Sequence, residues 1–189
     1  MKHATSRILF AYWDALRGER AAPDRSDVQP GGMRHVLSDT FILANEREPL
    51  FRLAGSRICA LFGRDIAGAS FRNLWQEVDT AEADRMVDTV LHDTSGIVAG
   101  ALGVNANGSE IALELLLLPL RHGRRTDRRM LGSLSPATIP SWAGLVPLME
   151  LRLRTVRTIV TRVSDENAMD LSGMPERRHP FVLHEGGLS

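Results

Sequence analysis

The sequence predicts one α+β domain in which helices cover one face of an antiparallel sheet. Three observations predict it: an amphipathic helix near the start, two strand-like segments followed by helices, and three consecutive strand-like segments. The chain has 189 residues, enough for one packed core and too few for two domains of ordinary size. Its hydrophobic content of 43% and charged content of 24% are typical of globular proteins, so general disorder is not expected.

The first predicted element is an amphipathic helix that ends at Gly18, with Pro23 in the loop behind it. Apolar residues recur with helical spacing at Ile8, Leu9, Tyr12, Trp13 and Leu16. Two strands follow, "TFILANE" and "LFRLAGS", because both are rich in β-branched, aromatic and other apolar residues and the turn-forming "EREP" separates them.

Helical spacing returns after Gly55, where Ile58, Leu61 and Phe62 predict a short helix that stops at Gly63. A longer helix is predicted over residues 80–94, with Thr80 as its N-cap. Its apolar residues share one face and are Ala83, Met86, Val87, Val90 and Leu91. This helix should cover the sheet.

Three antiparallel strands complete a predicted sheet of five. "GIVAGALGV" and "SEIALELLLLPL" flank "NANG", and Asn-Gly favours a hairpin because both turn positions tolerate positive φ. "RRMLGSLSP" is the third strand. Residues 149–162 are ambiguous: the alternating "LRLR" from Leu151 suits a strand, whereas a helix is suggested by Leu153, Val156, Ile159 and Val160.

These elements divide the chain into four parts. Residues 1–30 are a helix and loop, and residues 31–136 are the core. Residues 137–163 form a basic extension, and residues 164–189 have little periodicity and are expected to be a mobile tail.

Two long blocks resemble a known family. "YWDALRGERAAPDRSDVQP" and "FRLAGSRICALFGRDIAG" are similar to sequence blocks of a proteobacterial PAS domain family, PAS class 5, over about residues 7–136. The resemblance implies a PAS-like five-stranded sheet preceded by a helix, in a bacterial sensor of signal transduction. It implies a module for sensing or protein interaction that has no catalytic signature of its own, and it does not name a ligand.

A PAS-like fold would place a pocket between the sheet and the helix of residues 80–94. The candidate lining residues are Ile58, Cys59, Phe62, Phe71, Trp75, Met86 and Val90. Cys59 is the only cysteine, and "RICALFG" does not match the Asn-Cys-Arg-Phe-Leu context of flavin-binding light sensors. We therefore interpret Cys59 as a buried small apolar side chain rather than a chromophore attachment site.

Other chemistry finds little support in the sequence. His92 lies roughly opposite the apolar face of its helix and should face water, and the histidines lack metal-ligand spacing. The chain has no Gly-x-Ser-x-Gly elbow and no Walker or dinucleotide motif, so we expect neither an enzyme nor a metal centre. Glu114 either reaches the pocket or faces solvent at a sheet edge, the commoner case.

The charge pattern leaves one alternative function open. The net charge is zero, but between residues 121 and 163 basic residues outnumber acidic residues nine to two. A guanidinium group can hold phosphate, so an anionic nucleotide messenger is an alternative ligand for a weak candidate site. That site comprises Arg121, Arg124, Arg125, Arg128 and Arg129, for which a solvated turn is the competing interpretation.

Partners and location follow from the remaining features. The first helix carries Phe10, Tyr12 and Trp13 on more than one side, which predicts a homodimer through this helix. The alternative is that the helix lies across the open face of the sheet. The other expected partner is a signalling protein.

Aromatic residues are only 5% of the chain, so we expect no nucleic acid as a partner. Neither a signal peptide nor an apolar run of membrane-spanning length is seen, so we expect a cytoplasmic protein with no membrane contact.

Overall fold

Six antiparallel strands form one sheet in the computed structural model, which describes residues 1–45, 47–121 and 128–159. The helices are α1 (Ala4–Arg17), α2 (Ser56–Phe62) and α3 (Thr80–His92). The strands are β1 (Thr40–Asn45), β2 (Pro49–Ala54), β3 (Gly96–Asn105), β4 (Glu110–Leu120), β5 (Arg128–Pro136) and β6 (Leu148–Ile159). Their order across the sheet is β2-β1-β5-β4-β3-β6.

Each face of the sheet carries a buried apolar cluster, and strand β4 shows why. Along its leucine run, Leu115 and Leu117 belong to the cluster beneath α2 and α3, on what we call the inner face. Leu116 and Leu118 belong to a second cluster beneath α1, on the outer face. Alternate residues of a strand point to opposite faces, so an uninterrupted apolar run requires cover on both sides.

The predicted α+β fold is confirmed, with α2 and α3 on one face of the sheet and the N-terminal helix on the other. Helix α1 lies on the outer face, where Leu9 and Trp13 are completely buried. The indole Nε1–H of Trp13 donates a hydrogen bond of 2.8 Å to the carbonyl oxygen of Pro119. This is the alternative arrangement that the sequence left open for the first helix.

The predicted strand count was short by one, because residues 148–159 form β6 beside β3. The ambiguity of this segment has a physical cause. Two irregularities in the β3–β6 register, at Gly100/Ala101 and Val104/Asn105, each place an extra residue in β6. The side chains that pack on the inner cluster are thereby spaced three, two and three residues apart, at Leu148, Leu151, Leu153 and Val156. Such β-bulges give a strand the apolar spacing of a helix.

Strand β6 is joined to the domain on more than one side. Beyond its ladder with β3, the Leu151 carbonyl accepts a hydrogen bond from the Gln76 backbone N–H at 2.9 Å. The Leu153 N–H donates to the Asp79 carboxylate at 2.9 Å. Much of the predicted extension is thus part of the sheet, while the predicted tail lies outside the described residues.

Other predicted elements are confirmed. The β3–β4 hairpin turns through Asn105–Gly108, where Gly108 has a φ of 78° and the Asn105 side chain accepts two backbone hydrogen bonds of 2.9 Å. Helix α3 starts at Thr80, but the Thr80 hydroxyl donates to the Glu77 carbonyl instead of capping the helix. His92 is exposed as predicted.

Both glycines that flank α2 are required by the local geometry. Gly63 ends the helix with a φ of 63°, in the left-handed region that favours glycine. At Gly55 an added Cβ would lie 2.3 Å from the Ser38 carbonyl oxygen, so only glycine allows the close approach.

Among the described residues, no helix is long and apolar enough to cross a membrane.

Replacing Leu151 with alanine tests whether β6 belongs to the cooperative domain. Leu151 is 1% exposed on the inner face, so Leu151→Ala should lower the free energy of unfolding by about 2–4 kcal/mol. Leu145→Ala is the matched control, because Leu145 is 79% exposed and its truncation should change stability by less than about 0.5 kcal/mol. Urea denaturation followed by circular dichroism measures both. Equal stabilities of the two variants would contradict the assignment of β6 to the core.

Candidate functional site

The predicted pocket residues form a packed core. Six of the seven belong to the inner cluster and are at most 5% exposed, namely Ile58, Phe62, Phe71, Trp75, Met86 and Val90. Aromatic rings continue through this cluster, with centroids of Phe71 and Trp75 5.7 Å apart and those of Phe51 and Phe71 6.1 Å apart. The structure thus brings the predicted lining together, and its side chains pack against one another.

Cys59 lies at the periphery of this core. Its side chain is half-buried and packs against the inner cluster. The thiol Sγ is 3.8 Å from the Ala54 carbonyl oxygen and 3.9 Å from an Asp65 carboxylate oxygen. The predicted buried position is therefore only partly correct, since one side of Cys59 reaches solvent.

Trp75 carries an unsatisfied polar atom into the core. Its indole Nε1–H is buried and finds no hydrogen-bond acceptor among the described residues. A buried donor without an acceptor costs stability, so this atom is a feature that a ligand or an internal water would satisfy.

The described arginines of the candidate cluster lie at neighbouring ends of β4 and β5 and are partly engaged in contacts within the fold. Arg124 and Arg125 lie outside the described residues. Arg121 is ion-paired with Asp24, with Nε and Oδ1 3.6 Å apart, and Arg128 donates to the Leu91 carbonyl at 3.2 Å. Arg129 is half-buried in β5. The described arginines of this cluster hold parts of the fold together.

The predicted interface residues of α1 are used largely within the chain. Trp13 is completely buried, and Phe10 is half-buried with its ring centroid 5.9 Å from that of Trp13. The Tyr12 hydroxyl accepts from the Gln29 N–H at 2.9 Å and donates to the Gln29 carbonyl at 3.0 Å. The exposed side of the helix instead carries Ala4, Arg7, Ile8, Ala11 and Ala15.

Glu114 fastens the start of the chain to the outer face. Its carboxylate accepts hydrogen bonds from the backbone N–H groups of Lys2, at 2.7 Å, and His3, at 2.9 Å. Burial raises the pKa of Glu114, but these hydrogen bonds outweigh burial and leave the pKa below its usual value. Glu114 therefore neither reaches the inner core nor stands free in solvent.

Asp39 is a second acidic residue near the start of α1, and its pKa is shifted in the opposite direction. Its side chain is almost completely buried and forms an ion pair with Arg57. Burial raises the pKa of Asp39, and the opposing effects of Arg57 and His3 only partly offset it. The periodicity analysis gave no signal for Asp39, because it lies in a short turn before β1.

An open groove of about 490 Å³ crosses the outer face beside the start of α1. Its floor is formed by β3 and β4, and β6 borders it at the edge of the sheet. The lining residues used below are Lys2, His3, Leu102, Ala112, Arg154 and Arg157. Sequence reasoning missed this groove, because its residues come from the two ends and the middle of the described chain.

Comparison with known families identifies the class of the protein. A sequence model described as PAS domain matches residues 1–135, which is most of the chain. The chain therefore belongs to the PAS domain family, and the predicted resemblance is confirmed. PAS domains are generally sensory modules without catalytic activity.

Solved structures similar to this chain include LOV and PAS-B domains. A LOV domain studied with a flavin analogue has 17% identity and a TM-score of 0.47, covering 57% of this chain and 83% of that one. The dark structure of the blue-light photoreceptor Aureochrome1 LOV has 15% identity and a TM-score of 0.45, covering 60% and 85%. Drosophila melanogaster Cycle PAS-B with bound ethylene glycol has 17% identity and a TM-score of 0.42, covering 51% and 98%. A search among curated proteins found no match for this sequence.

The two acids predict opposite dependences of stability on pH. Because the pKa of Glu114 is lowered on folding, its stabilising effect is present above the ordinary Glu pKa of about 4.3 and is lost as the pH falls. Glu114→Gln should therefore cost about 1 kcal/mol at pH 7 and progressively less below about pH 4. Urea denaturation between pH 3 and pH 7 measures this difference.

Asp39→Asn is the matched control for that titration. A raised pKa means that the contribution of Asp39 to stability is full below the ordinary Asp pKa of about 3.9 and is lost as the pH rises. The stability of Asp39→Asn relative to the parent chain should therefore increase with pH, opposite to Glu114→Gln. If the stabilities of the two variants changed with pH in the same direction, the assigned pKa directions of Glu114 and Asp39 would be contradicted.

Proposed function

We propose that this PAS domain signals by protein–protein interaction, and that it forms a homodimer through the exposed side of α1. The observation that carries this proposal is the spacing of the exposed stripe Ala4, Ile8, Ala11 and Ala15, which follows the four-three-four pattern of a helix pair. Ile8 is 47% exposed in the middle of the stripe. Small residues on either side of it allow close approach of a second helix.

The proposed contact differs from the one expected from sequence. Phe10, Tyr12 and Trp13 hold α1 to its own sheet, so the opposite side of the helix is what remains for a partner. Helix α1 has 14 residues and is about 21 Å long, which makes a small interface. A small interface gives a dimer that depends on concentration and that another signalling protein can replace.

A ligand in the inner core is an alternative to this proposal. The unpaired Nε1–H of Trp75 supports it, whereas the close packing of the surrounding side chains opposes it. The nucleotide alternative is weakened because Arg121 and Arg128 already have partners in the fold. Calorimetric titration with cyclic dinucleotides and guanosine tetraphosphate tests that alternative. Binding that persists in an Arg124→Ala/Arg125→Ala variant would exclude the predicted cluster.

Charge substitution on α1 tests the dimer. Ile8→Glu should convert the dimer to a monomer, because two buried carboxylates would face each other across the helix pair. Val78→Glu is the matched control, since Val78 is also an exposed apolar residue, at 78%, and lies outside α1. Multi-angle light scattering over a concentration series measures the mass.

A dimeric Ile8→Glu variant, or a parent chain that is monomeric throughout that series, would contradict the proposed interface. Substitution is preferable to deletion of residues 1–20. Deletion would uncover Leu116, Leu118 and Leu131 on the outer face, and aggregation would obscure the result.

Native mass spectrometry, together with an absorption spectrum, tests the inner core. We expect the mass of the polypeptide alone and no visible absorption, because the predicted lining residues fill the space between the sheet and α3. Trp75→Phe should then change stability by less than about 1 kcal/mol, since the lost contacts are offset by removal of an unpaired donor. An added mass that disappears in Trp75→Phe would establish a ligand in the core.

A further inference from the structure

The outer-face groove joins an apolar floor to a basic rim. Leu102 and Ala112 lie on its floor, and Ala112 is exposed although it stands in the middle of the sheet. Helix α1 leaves this part of the outer face uncovered. An exposed apolar concavity of about 490 Å³ is within the range of small-molecule sites.

The charges around the groove are predominantly positive. Arg154 and Arg157 are exposed on β6, and neither makes an ion pair with another of the described residues. Lys2 stands on the opposite rim. Glu114 is the acid of the lining, but its carboxylate already accepts two backbone hydrogen bonds. Within the described part of the chain, the rim therefore carries arginines that have no ion-pair partner.

We propose that this groove binds an amphiphilic anion, such as a carboxylate with a medium-length alkyl chain like that of decanoate. The alkyl chain would lie on the floor of β3 and β4, and the carboxylate would be held by Arg154 and Arg157 at the sheet edge. Guanidinium groups are well matched to carboxylates, and the apolar floor supplies the hydrophobic contribution. This site lies on the opposite face from the core that the PAS resemblance indicated.

Two other roles for the groove residues are the binding of a nucleotide and the protection of the sheet edge from pairing with another chain. A nucleotide could stack its base on His3 or on an arginine, but it would place a polar base on the apolar floor, and the described lining offers no Asn or Gln amide to bind the base edge. In the case of edge protection, Arg154 and Arg157 only keep the edge strand β6 from pairing with another chain. Edge protection alone would leave the apolar floor of the groove without a role.

Isothermal titration of the full chain with sodium decanoate, kept below its micelle-forming concentration, tests the proposal. We expect saturable binding, with decyltrimethylammonium and sodium butyrate at least about tenfold weaker because one lacks the negative charge and the other the long chain. Arg154→Gln/Arg157→Gln should weaken decanoate binding about fivefold to tenfold, as expected for two partly exposed ion pairs. Ala112→Phe should weaken it at least about tenfold by filling the floor.

The double variant Arg34→Gln/Arg64→Gln controls for the loss of two charges, because both residues are exposed and neither lines the groove. It should bind decanoate like the parent chain, and thermal melting checks that every variant is folded. No binding of decanoate to the parent chain would overturn the proposal. Equal binding of decyltrimethylammonium, or unchanged binding by Ala112→Phe, would also overturn it. These titrations measure ligand binding, whereas light scattering tests the α1 dimer. Failure of the dimer proposal can therefore be distinguished from failure of the groove proposal.

Discussion

Strand β4 has to be buried on both sides, and the rest of the fold depends on this constraint. Leu115 and Leu117 require a cover on the inner face, and Leu116 and Leu118 require one on the outer face. Helices α2 and α3 provide the first layer, and α1 provides the second. Helix α1 is consequently a structural layer of the domain, held by the hydrogen bond from Trp13 to Pro119 and by its apolar contacts.

This use of α1 determines which surfaces remain for function. The inner face is packed, and the apolar side of α1 is occupied by the sheet. Among the described residues, the surfaces considered for function are the solvent side of α1 and the part of the outer face that α1 does not reach, over β3 and β4 beside β6. The two candidate surfaces lie next to each other, because α1 starts at Ala4 and the groove is bordered by Lys2 and His3.

Much of the fold could be predicted from sequence, and the failures have local physical reasons. The hairpin at Asn105–Gly108 and the buried face of α3 follow from short-range patterns, which local chemistry determines. The bulges of β6 could not be predicted, since they depend on its register with β3. The leucine run of β4 did contain a signal for a second covered face, but an apolar run alone does not say which element covers it. The groove depends on tertiary placement, because Lys2, Ala112 and Arg157 are far apart in sequence.

Glu114 connects the two surfaces physically. Its carboxylate holds the backbone of Lys2 and His3, which border the groove on one side and lead into the exposed stripe of α1 on the other. A ligand on this rim would contact the residues that the Glu114 carboxylate holds, so its affinity would depend on how this turn is attached. Against the effect of burial, the hydrogen bonds of Lys2 and His3 favour the ionised carboxylate and so lower the pKa of Glu114. The proposed ligand groove and the proposed α1 contact therefore share one anchor, the Glu114 carboxylate.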